Sequence, residues 1–526
     1  LDLKINHTPK FTPNLLQLEA TNNLDQLRSE GEEKALVISA TGTGKTFLSA
    51  FDVKNFNPKR MLFIVHRFRI TSKALDTFKV IFGKERTYGF YSHSVKDTKS
   101  DFIFSTIQTI NKEENLRSFD PNAFDYIVID ETHRAGASSY NKVLDYFKPK
   151  FLLGMTATPE RTDGYDIFSL FNHNIACEIR LPRAMEEGLV CPFHYFGITD
   201  LLIDGEEIEE KTSFNKLVSS ERVNHIIEKI DEFGTDDGTR RGLIFCSSVK
   251  EAMALANEFN NRGLRSVALS GISSEDERLD VMRRIEAKES PEKLEYIFSV
   301  DILNEGIDIP CINQIVMLRP TQSAIVFVQQ LGRGLRQAKG KEYLTVIDFI
   351  GNYEKNYLIP VALYGDRSLN KDTLRKLVSS KSNIIPGSST INFDEITKEK
   401  IYNSIDGGNL KTKKDLVNDY RILKFRLGRE PMMMDFVEHD LRDPFQYIEY
   451  NKTDSFYNFS YLLEGDNLPH LDEFGKKLLE KICKLVNNGV RGLESLLLLE
   501  LIENEEFRIK WPRGEMGKLP ADSEQY

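Results

Sequence analysis

Short, almost wholly apolar runs recur along the first two-thirds of the chain, at Ala35–Ser39, Met61–Val65, Phe102–Phe104, Tyr126–Ile129 and Phe151–Leu153, with helix-length polar stretches between them. Continuous rather than alternating apolar character marks strands covered on both faces, the environment of a parallel sheet with crossover helices. After a polar gap near Asp204–Glu210 the rhythm resumes at Gly242–Phe245, Ser266–Leu269, Tyr296–Phe298, Gln314–Met317 and Leu344–Ile347. The pattern predicts an α/β fold: two tandem parallel-sheet domains over residues 1–200 and 236–365, joined by a linker or hinge over 201–235. Beyond about Asp366 the pattern turns to amphipathic helical pieces such as Asp472–Val486 and Gly492–Glu503, so 366–526 reads as a mainly helical accessory region.

Composition narrows the class. At 40% hydrophobic and 29% charged over 526 residues, the chain is neither disordered nor fibrous, and it can bury several cores. No apolar run approaches the ~20 residues of a membrane span, and Leu1–Lys10 lacks the layout of a signal peptide, so no membrane partner and a cytoplasmic location are expected. The five cysteines are scattered and never spaced Cys-x-x-Cys, which argues for a reducing compartment and against a zinc site. The first residue is Leu and the first methionine is Met61, inside an expected strand, so the chain is expected to be part of something longer. A net charge of −10 does not exclude nucleic acid, because binding depends on a local basic track rather than on the sum.

Three clusters carry chemistry. The strand Ala35–Ser39 runs into Ser39-Ala-Thr41-Gly42-Thr43-Gly44-Lys45-Thr46, a phosphate-binding loop with Ser39 in place of its first glycine. Glycines let backbone N–H groups wrap phosphate oxygens at a helix N-terminus, Lys45 would reach the β- and γ-phosphates, and the Thr46 hydroxyl would reach Mg²⁺. Val128-Ile-Asp130-Glu131-Thr-His133 places two carboxylates at the C-terminal end of a strand, where an open parallel sheet binds its ligands. Asp130 suits an outer ligand of Mg²⁺, and Glu131 suits the base that orients an attacking water. Finally, Gln329-Gln-Leu-Gly-Arg333-Gly-Leu-Arg336 sets two arginines three apart on one helical face, able to point across a cleft at a γ-phosphate.

Taken in order, these clusters resemble motifs I, II and VI of superfamily 2 helicases and translocases of the DExH type. The intervening stations are also filled: Ile64-Val-His-Arg67 is similar to motif Ia, Ser105-Thr106-Ile-Gln108-Thr109 to Ib, and Met155-Thr156-Ala-Thr158-Pro159 to III. Leu243–Ser247 resembles motif IV, and Asp301–Pro310, with Gly306 and Asp308, motif V. The resemblance implies two tandem RecA-like domains, ATP and Mg²⁺ as cofactors, and a catalytic set of Lys45, Asp130, Glu131, His133, Gln329, Arg333 and Arg336. It implies that Thr156 and Thr158 couple nucleotide state to grip, that His133 relays between the domains, and that Arg67, Thr106, Gln108, Ser247 and Gly306 lie at the phosphodiester track. Asp308 would lie near the ribose. Gln17 looks like the adenine-reading glutamine, although Asn14 stands near where an arginine is usual; a glutamine on a helix surface is the other reading.

Phe171–Arg180, Leu189–Phe193 and the stretch from Gly365 to Glu395 resemble bacterial restriction and defence translocases built from a phospholipase-D-like nuclease, a helicase core and a C-terminal DNA-reading domain, the type IV enzymes that act on modified cytosine among them. This implies a DNA translocase motor with duplex DNA as partner, and nuclease and recognition domains in the same full-length polypeptide. None of the nine histidines is followed two residues later by Lys, so the His-x-Lys nuclease signature is missing from this chain. A helicase acting on RNA or repair intermediates, and a scaffold that uses ATP as a clamp without turnover, are the competing readings; oligomeric state and polarity stay open. Seven Lys or Arg against two acids over 411–429 read as a phosphate track or as a solvated helix face, Met432–Met434 as core filler, and Cys246 as a buried strand residue.

Overall fold

The computed structural model describes residues 11–132, 138–157, 159, 166–209, 211–287, 290–300, 309–320, 323–366, 368–379, 388–408, 412–439, 441–450, 453–486, 496 and 499. The chain divides into two compact units, Leu1–Leu410 with Asn418–Pro431, and Lys411–Val417 with Met432–Tyr526.

The first unit holds two seven-stranded sheets in which every paired strand is parallel. Strands β1 (Lys34–Ser39), β2 (Met61–Val65), β3 (Tyr88–Tyr91), β4 (Phe102–Thr106), β5 (Tyr126–Asp130), β6 (Phe151–Thr156) and β7 (Ile175–Ile179) form the first, in the order β3-β4-β2-β5-β6-β1-β7. Strands β8 (Phe193–Thr199), β9 (Gly242–Phe245), β10 (Ser266–Leu269), β11 (Tyr296–Ser299), β12 (Gln314–Met317), β13 (Leu344–Ile350) and β14 (Thr390–Phe393) form the second, in the order β10-β11-β9-β12-β13-β8-β14. Strands β2, β4 and β5 are buried at every position, as continuous apolar runs require when helices cover both faces. The fold is therefore the expected pair of RecA-like α/β domains, followed by a mainly helical region.

The sheets divide the chain at other places than the sequence pattern does. Strand β8, inside the expected first domain, pairs with β13 along its whole length, from Phe193↔Leu344 to Thr199↔Ile350, so the chain crosses between sheets over residues 180–192. The stretch read as a hinge, 201–235, contains the helix Ser220–Phe233, whose Val223, Ile226 and Ile230 are buried in the core of the second sheet. Its amphipathic period is that of a packed helix rather than of a linker. Strand β14, inside the expected accessory region, completes the same sheet by pairing with β8 from Thr390↔His194 to Phe393↔Gly197. It is short and lies at an edge, so it carries little apolar signal.

Residues 418–431 close onto the first sheet. Phe425 packs against its core, the Phe425 carbonyl lies 2.6 Å from His173 Nδ1, and Arg426 pairs at 2.5 Å with Glu178 of β7. Part of the basic run over 411–429 is thus engaged in ion pairs, since Lys424 also meets Glu430 at 3.4 Å. Lys411 lies outside the described residues.

The second unit is built on short helices around an aromatic cluster. Tyr447 stands 4.9 Å from both Phe436 and Phe459, with Phe456 against Phe436 at 5.8 Å. Met432 and Met434 are exposed, which corrects their reading as core filler: residue 432 precedes the helix Met433–Glu438, and Phe436 is the residue that fills the core. Cys246 is fully buried in the first unit, as expected, although it stands one residue past the end of β9.

Candidate nucleotide cleft and interdomain cleft

Helix α1 (Leu15–Ser29) precedes β1, and helix α2 (Lys45–Phe56) follows it after the loop Ala40–Gly44. Gly42 and Gly44 have φ of +92° and +83°, a region that L side chains enter at a cost, so both positions require glycine if the loop is to turn its N–H groups outward. The buried Thr43 side chain faces inward: its Oγ1 donates to the Ala40 carbonyl at 2.7 Å and meets the Ser39 hydroxyl at 2.5 Å. Ser39 therefore braces the loop in the place of the usual glycine. The next strand supports it too, because Ala40 N donates to Ile179 O of β7 at 2.7 Å.

A cleft of about 270 Å³ opens over this loop, lined by Thr41, Gly42, Gly44, Lys45 and Thr46, by Asp130 and Glu131 at the end of β5, and by Arg333 and Arg336 of the second domain. It thus gathers most of the expected catalytic set. Lys45 Nζ donates to the carbonyls of Ser39 at 3.0 Å and Ala40 at 3.4 Å, which parks the ammonium at the mouth of the loop. Burial pushes its pKa down; the Glu131 and Asp130 carboxylates pull it up, and the Arg336 and Arg333 guanidiniums push it down. Asp130 Oδ1 accepts the N–H of Glu131 at 2.9 Å, and Glu131 sits at φ +56°. A non-glycine residue in that region is strained by roughly 1–2 kcal/mol, which the rest of the fold must offset to hold the carboxylate there.

Thr46 and Asp130 supply a hydroxyl and a carboxylate to one cleft. Mg²⁺ keeps several waters and takes its remaining ligands from substrate phosphates, so this sparse oxygen set suits it. Among the described residues no group of three or more His, Cys, Asp or Glu side chains gathers as a metal site.

The arginines stand on the helix Ala324–Gly334 and just beyond it, and no sequence motif marks what holds that helix end. Lys341 Nζ donates to the carbonyls of Gly334, of Arg336 at 3.2 Å and of Pro310 at 3.5 Å, and burial lowers its pKa to about 8. The crossing segment is stitched to the same end: Cys191 N donates to Leu335 O at 2.7 Å, and Gln337 Nε2 to Gly188 O at 2.6 Å. Where Gly332 faces the loop, a Cβ would come within 3.1 Å of Thr41 Cβ, so the domains approach closely.

Gln17, expected to read adenine, is buried beside the phosphate loop. Its side-chain oxygen accepts from Asn14 N at 3.0 Å, while Asn14 Oδ1 accepts from Gln17 N at 2.9 Å, a reciprocal cap on α1. Its Nε2 donates to Gly44 O at 3.3 Å, and it does not line the cleft. The amide oxygen thus caps α1 and the nitrogen reaches the phosphate loop, and the Asn-x-x-Gln spacing was the signal for the cap. Gln329 lies on the arginine helix but does not line the cleft either. Residues the motifs did not flag do line it: Phe47, stacked on Phe11 at 5.6 Å, and Ile70, Lys73 and Thr77 of helix α3 (Phe68–Phe82).

A second cleft, of about 540 Å³, lies between the two domains. Arg67, Thr106 and Gln108 line it with His66 and Phe68 from the first domain; Gly271, Glu275, Arg278, Leu279 and Met282 line it from the second. Gln108 Nε2 lies 2.9 Å from His66 Nδ1. Thr156 is buried at the end of β6, beside Ile38 in the register, and Thr132 Oγ1 ties β5 to β6 by donating to Met155 O at 3.1 Å. Ser247 N donates to Glu251 Oε2 at 2.9 Å. His133, Thr158, Gly306 and Asp308 lie outside the described residues.

Comparison with known proteins follows this geometry. Residues 10–161 match the family "Type III restriction enzyme, res subunit", 221–338 match "Helicase conserved C-terminal domain", and 416–525 match a domain of unknown function, DUF8090. The chain is 26% identical over 366 residues to the "Putative ATP-dependent helicase IRC3" of Saccharomyces cerevisiae, covering 64% of this chain and 51% of that protein. It is 26% identical over 378 residues to the type I restriction enzyme EcoAI endonuclease subunit of Escherichia coli, covering 64% and 46%. The chain thus matches about half the length of these relatives. In fold it resembles the ATP-dependent type ISP restriction-modification enzyme LlaBIII bound to DNA, with a TM-score of 0.55 at 16% identity, over 94% of this chain and 42% of that one. Two parallel RecA-like sheets, a phosphate loop facing a pair of arginines, and family matches over residues 10–161 and 221–338 make this region of the chain similar to superfamily 2 helicases and to restriction-enzyme endonuclease subunits.

Proposed function

We propose that this chain is an ATP-dependent DNA translocase, the motor of a restriction or defence enzyme that acts on modified DNA. The observation that carries the reading is the single cleft in which Lys45, Thr46, Asp130 and Glu131 of one domain face Arg333 and Arg336 of the other. Mg²⁺, held by Thr46 and Asp130, would neutralise phosphate charge. Glu131 orients the attacking water and accepts its proton, Lys45 binds the terminal phosphates, and the arginines stabilise charge that develops on the transferred phosphoryl group. Because those arginines come from the second domain, hydrolysis depends on the closure of one domain over the other.

The second cleft is proposed as the nucleic-acid track. Arg67 and Arg278 supply cations, while Thr106 and Gln108 supply hydrogen-bonding groups of the kind that hold a phosphodiester backbone. Similarity to type I endonuclease subunits and to a res-subunit family supports DNA as the polymer and restriction as the setting. The reading of modified cytosine rests on the resemblance of Phe171–Arg180, Leu189–Phe193 and Gly365–Glu395 to type IV enzymes. Nuclease and recognition domains are then further parts of the same polypeptide.

The test is steady-state ATP hydrolysis with no nucleic acid, single-stranded DNA, duplex DNA, duplex DNA carrying methylated cytosine, and RNA, each at two salt concentrations. Stimulation by duplex over RNA, lost in Lys45→Ala, Glu131→Gln and Arg336→Ala, is expected. Preference for RNA would overturn the restriction reading, and wild-type turnover in the three variants would overturn the site.

A further inference from the structure

Helix α3 touches both clefts. Its N-cap Arg67 and first residue Phe68 line the interdomain cleft with His66, whereas Ile70, Lys73 and Thr77, spaced three and four apart on one face, line the nucleotide cleft. At 1.5 Å per residue the two sets lie roughly 5–15 Å apart along one helix axis. The neighbouring face is packed into the first domain: Ala74, Leu75, Phe78 and Phe82 are buried in its core. A helix anchored this way shifts or rotates as one body when either end is pulled.

Of the three residues on the nucleotide side, Lys73 alone carries charge. It shares its cleft with Lys45, Asp130, Glu131, Arg333 and Arg336. A lysine is a compact cation on a flexible stem, so it responds to the charge of the nucleotide phosphates, which falls when the γ-phosphate leaves. We infer that Lys73 is the coupling residue of this motor, sensing the terminal phosphate and transmitting its presence through α3 to Arg67 at the nucleic-acid track. The inference rests on the proposed reading of the two clefts. Lys73 acts here as a positioning residue: it changes how Arg67 is presented rather than the chemistry at phosphorus.

Coupling is measured as a ratio, and it is reciprocal: the factor by which nucleotide changes DNA affinity equals the factor by which DNA changes nucleotide affinity. The experiment uses the full chain, a fluorescent 30-base-pair duplex and a non-hydrolysable ATP analogue. Duplex Kd is measured with and without saturating analogue, and analogue Kd with and without saturating duplex, for wild type, Lys73→Ala, Lys73→Arg and, as a control for charge on the same helix, Lys79→Ala. Wild type and Lys79→Ala are expected to show equal factors in both directions, in the usual range of about 5–150-fold. In Lys73→Ala both factors fall below about threefold, and Lys73→Arg restores most of the loss. If Lys73→Ala weakens analogue binding and leaves the ratio intact, Lys73 is only a binding residue and the inference fails; it fails equally if nothing changes. Wild-type protein that binds neither duplex nor analogue overturns the proposed function, and the inference with it.

Discussion

Arg222 is buried without any exposed surface, and its neutralisation by methionine makes a demanding test of the second domain's energetics. Its Nη2 pairs with Asp200 Oδ2 at 2.8 Å and its Nε lies 3.2 Å from both Asp200 oxygens, while Nη1 reaches Glu251 Oε1 at 3.3 Å and the Leu217 carbonyl at 2.9 Å. Arg222→Met removes the cation and leaves two buried carboxylates facing each other. Breaking a buried ion pair from one side costs about 3–5 kcal/mol, because the remaining charge has neither water nor partner. Burial already raises the pKa of Glu251 even with Arg222 beside it, and without Arg222 it rises further. A carboxyl raised in the folded state takes up a proton as pH falls, so its cost is greatest above the raised pKa and disappears toward the unfolded value. The deficit of Arg222→Met is therefore expected to be larger at pH 8 than at pH 5. The assay is a urea titration read by pulsed thiol labelling of Cys246, buried just past β9 beside the trio, with the labelled peptide identified by mass. Adding Asp200→Asn and Glu251→Gln should return most of the loss, since neutral groups need no counter-ion. A deficit below about 1 kcal/mol, or one equal at pH 5 and pH 8, would refute the view that this trio is ionised and self-compensating.

Glu131→Gly should raise stability by up to about 1 kcal/mol, because glycine relieves the positive φ, while ATP turnover is lost; urea unfolding and ATPase assays read the two effects, and a loss of stability would contradict the strain. Asp348, buried with Tyr195 OH donating to its Oδ2 at 2.6 Å, has its pKa pushed up to about 7 by burial, so wild type should lose stability as pH rises from about 4 to 7, at up to about 1.4 kcal/mol per unit. Asp348→Asn abolishes that slope in denaturant titrations, and a slope retained in the variant would assign it to another group. Lys341→Ala releases the end of the arginine helix and is expected to lower kcat about tenfold with little change in KM for ATP, with partial recovery in Lys341→Arg; an effect on KM alone would show that the arginines hold their position without it.

The elements that sequence reading placed well are those dictated by one local rule. The central strands β2, β4 and β5 are buried on both faces and so read as unbroken apolar runs, and the phosphate loop carries glycines at the two positions whose φ is positive. The elements it missed are defined by distant partners. Strand β14 is an edge strand identified by its register with β8, and the helix Ser220–Phe233 is assigned to a domain only by what its apolar face covers. Site residues divide the same way. Lys45, Asp130, Glu131, Arg333 and Arg336 come together because each stands at the end of a strand or helix that the topology brings to one cleft. Lys73 and Lys341 carry no motif: one is legible only as part of a helical stripe beside the cleft, the other only by the three carbonyls it reaches. Gln17 fits a motif position, and its hydrogen bonds to Asn14 and Gly44 could be read only from the structure.

The register of the second sheet also sets a timetable for biosynthesis. Strand β8 is made before every other strand of its sheet, but its neighbours β13 and β14 begin only at residues 344 and 390. At about 5–20 residues per second, a ribosome leaves roughly 7–29 s between finishing residue 199 and delivering residue 344. Throughout that interval Phe193, Tyr195 and Ile198, which end up buried, belong to a strand with both edges open. The nascent chain therefore carries an unpaired apolar strand, made after every strand of the first sheet, until the far end of the second domain emerges.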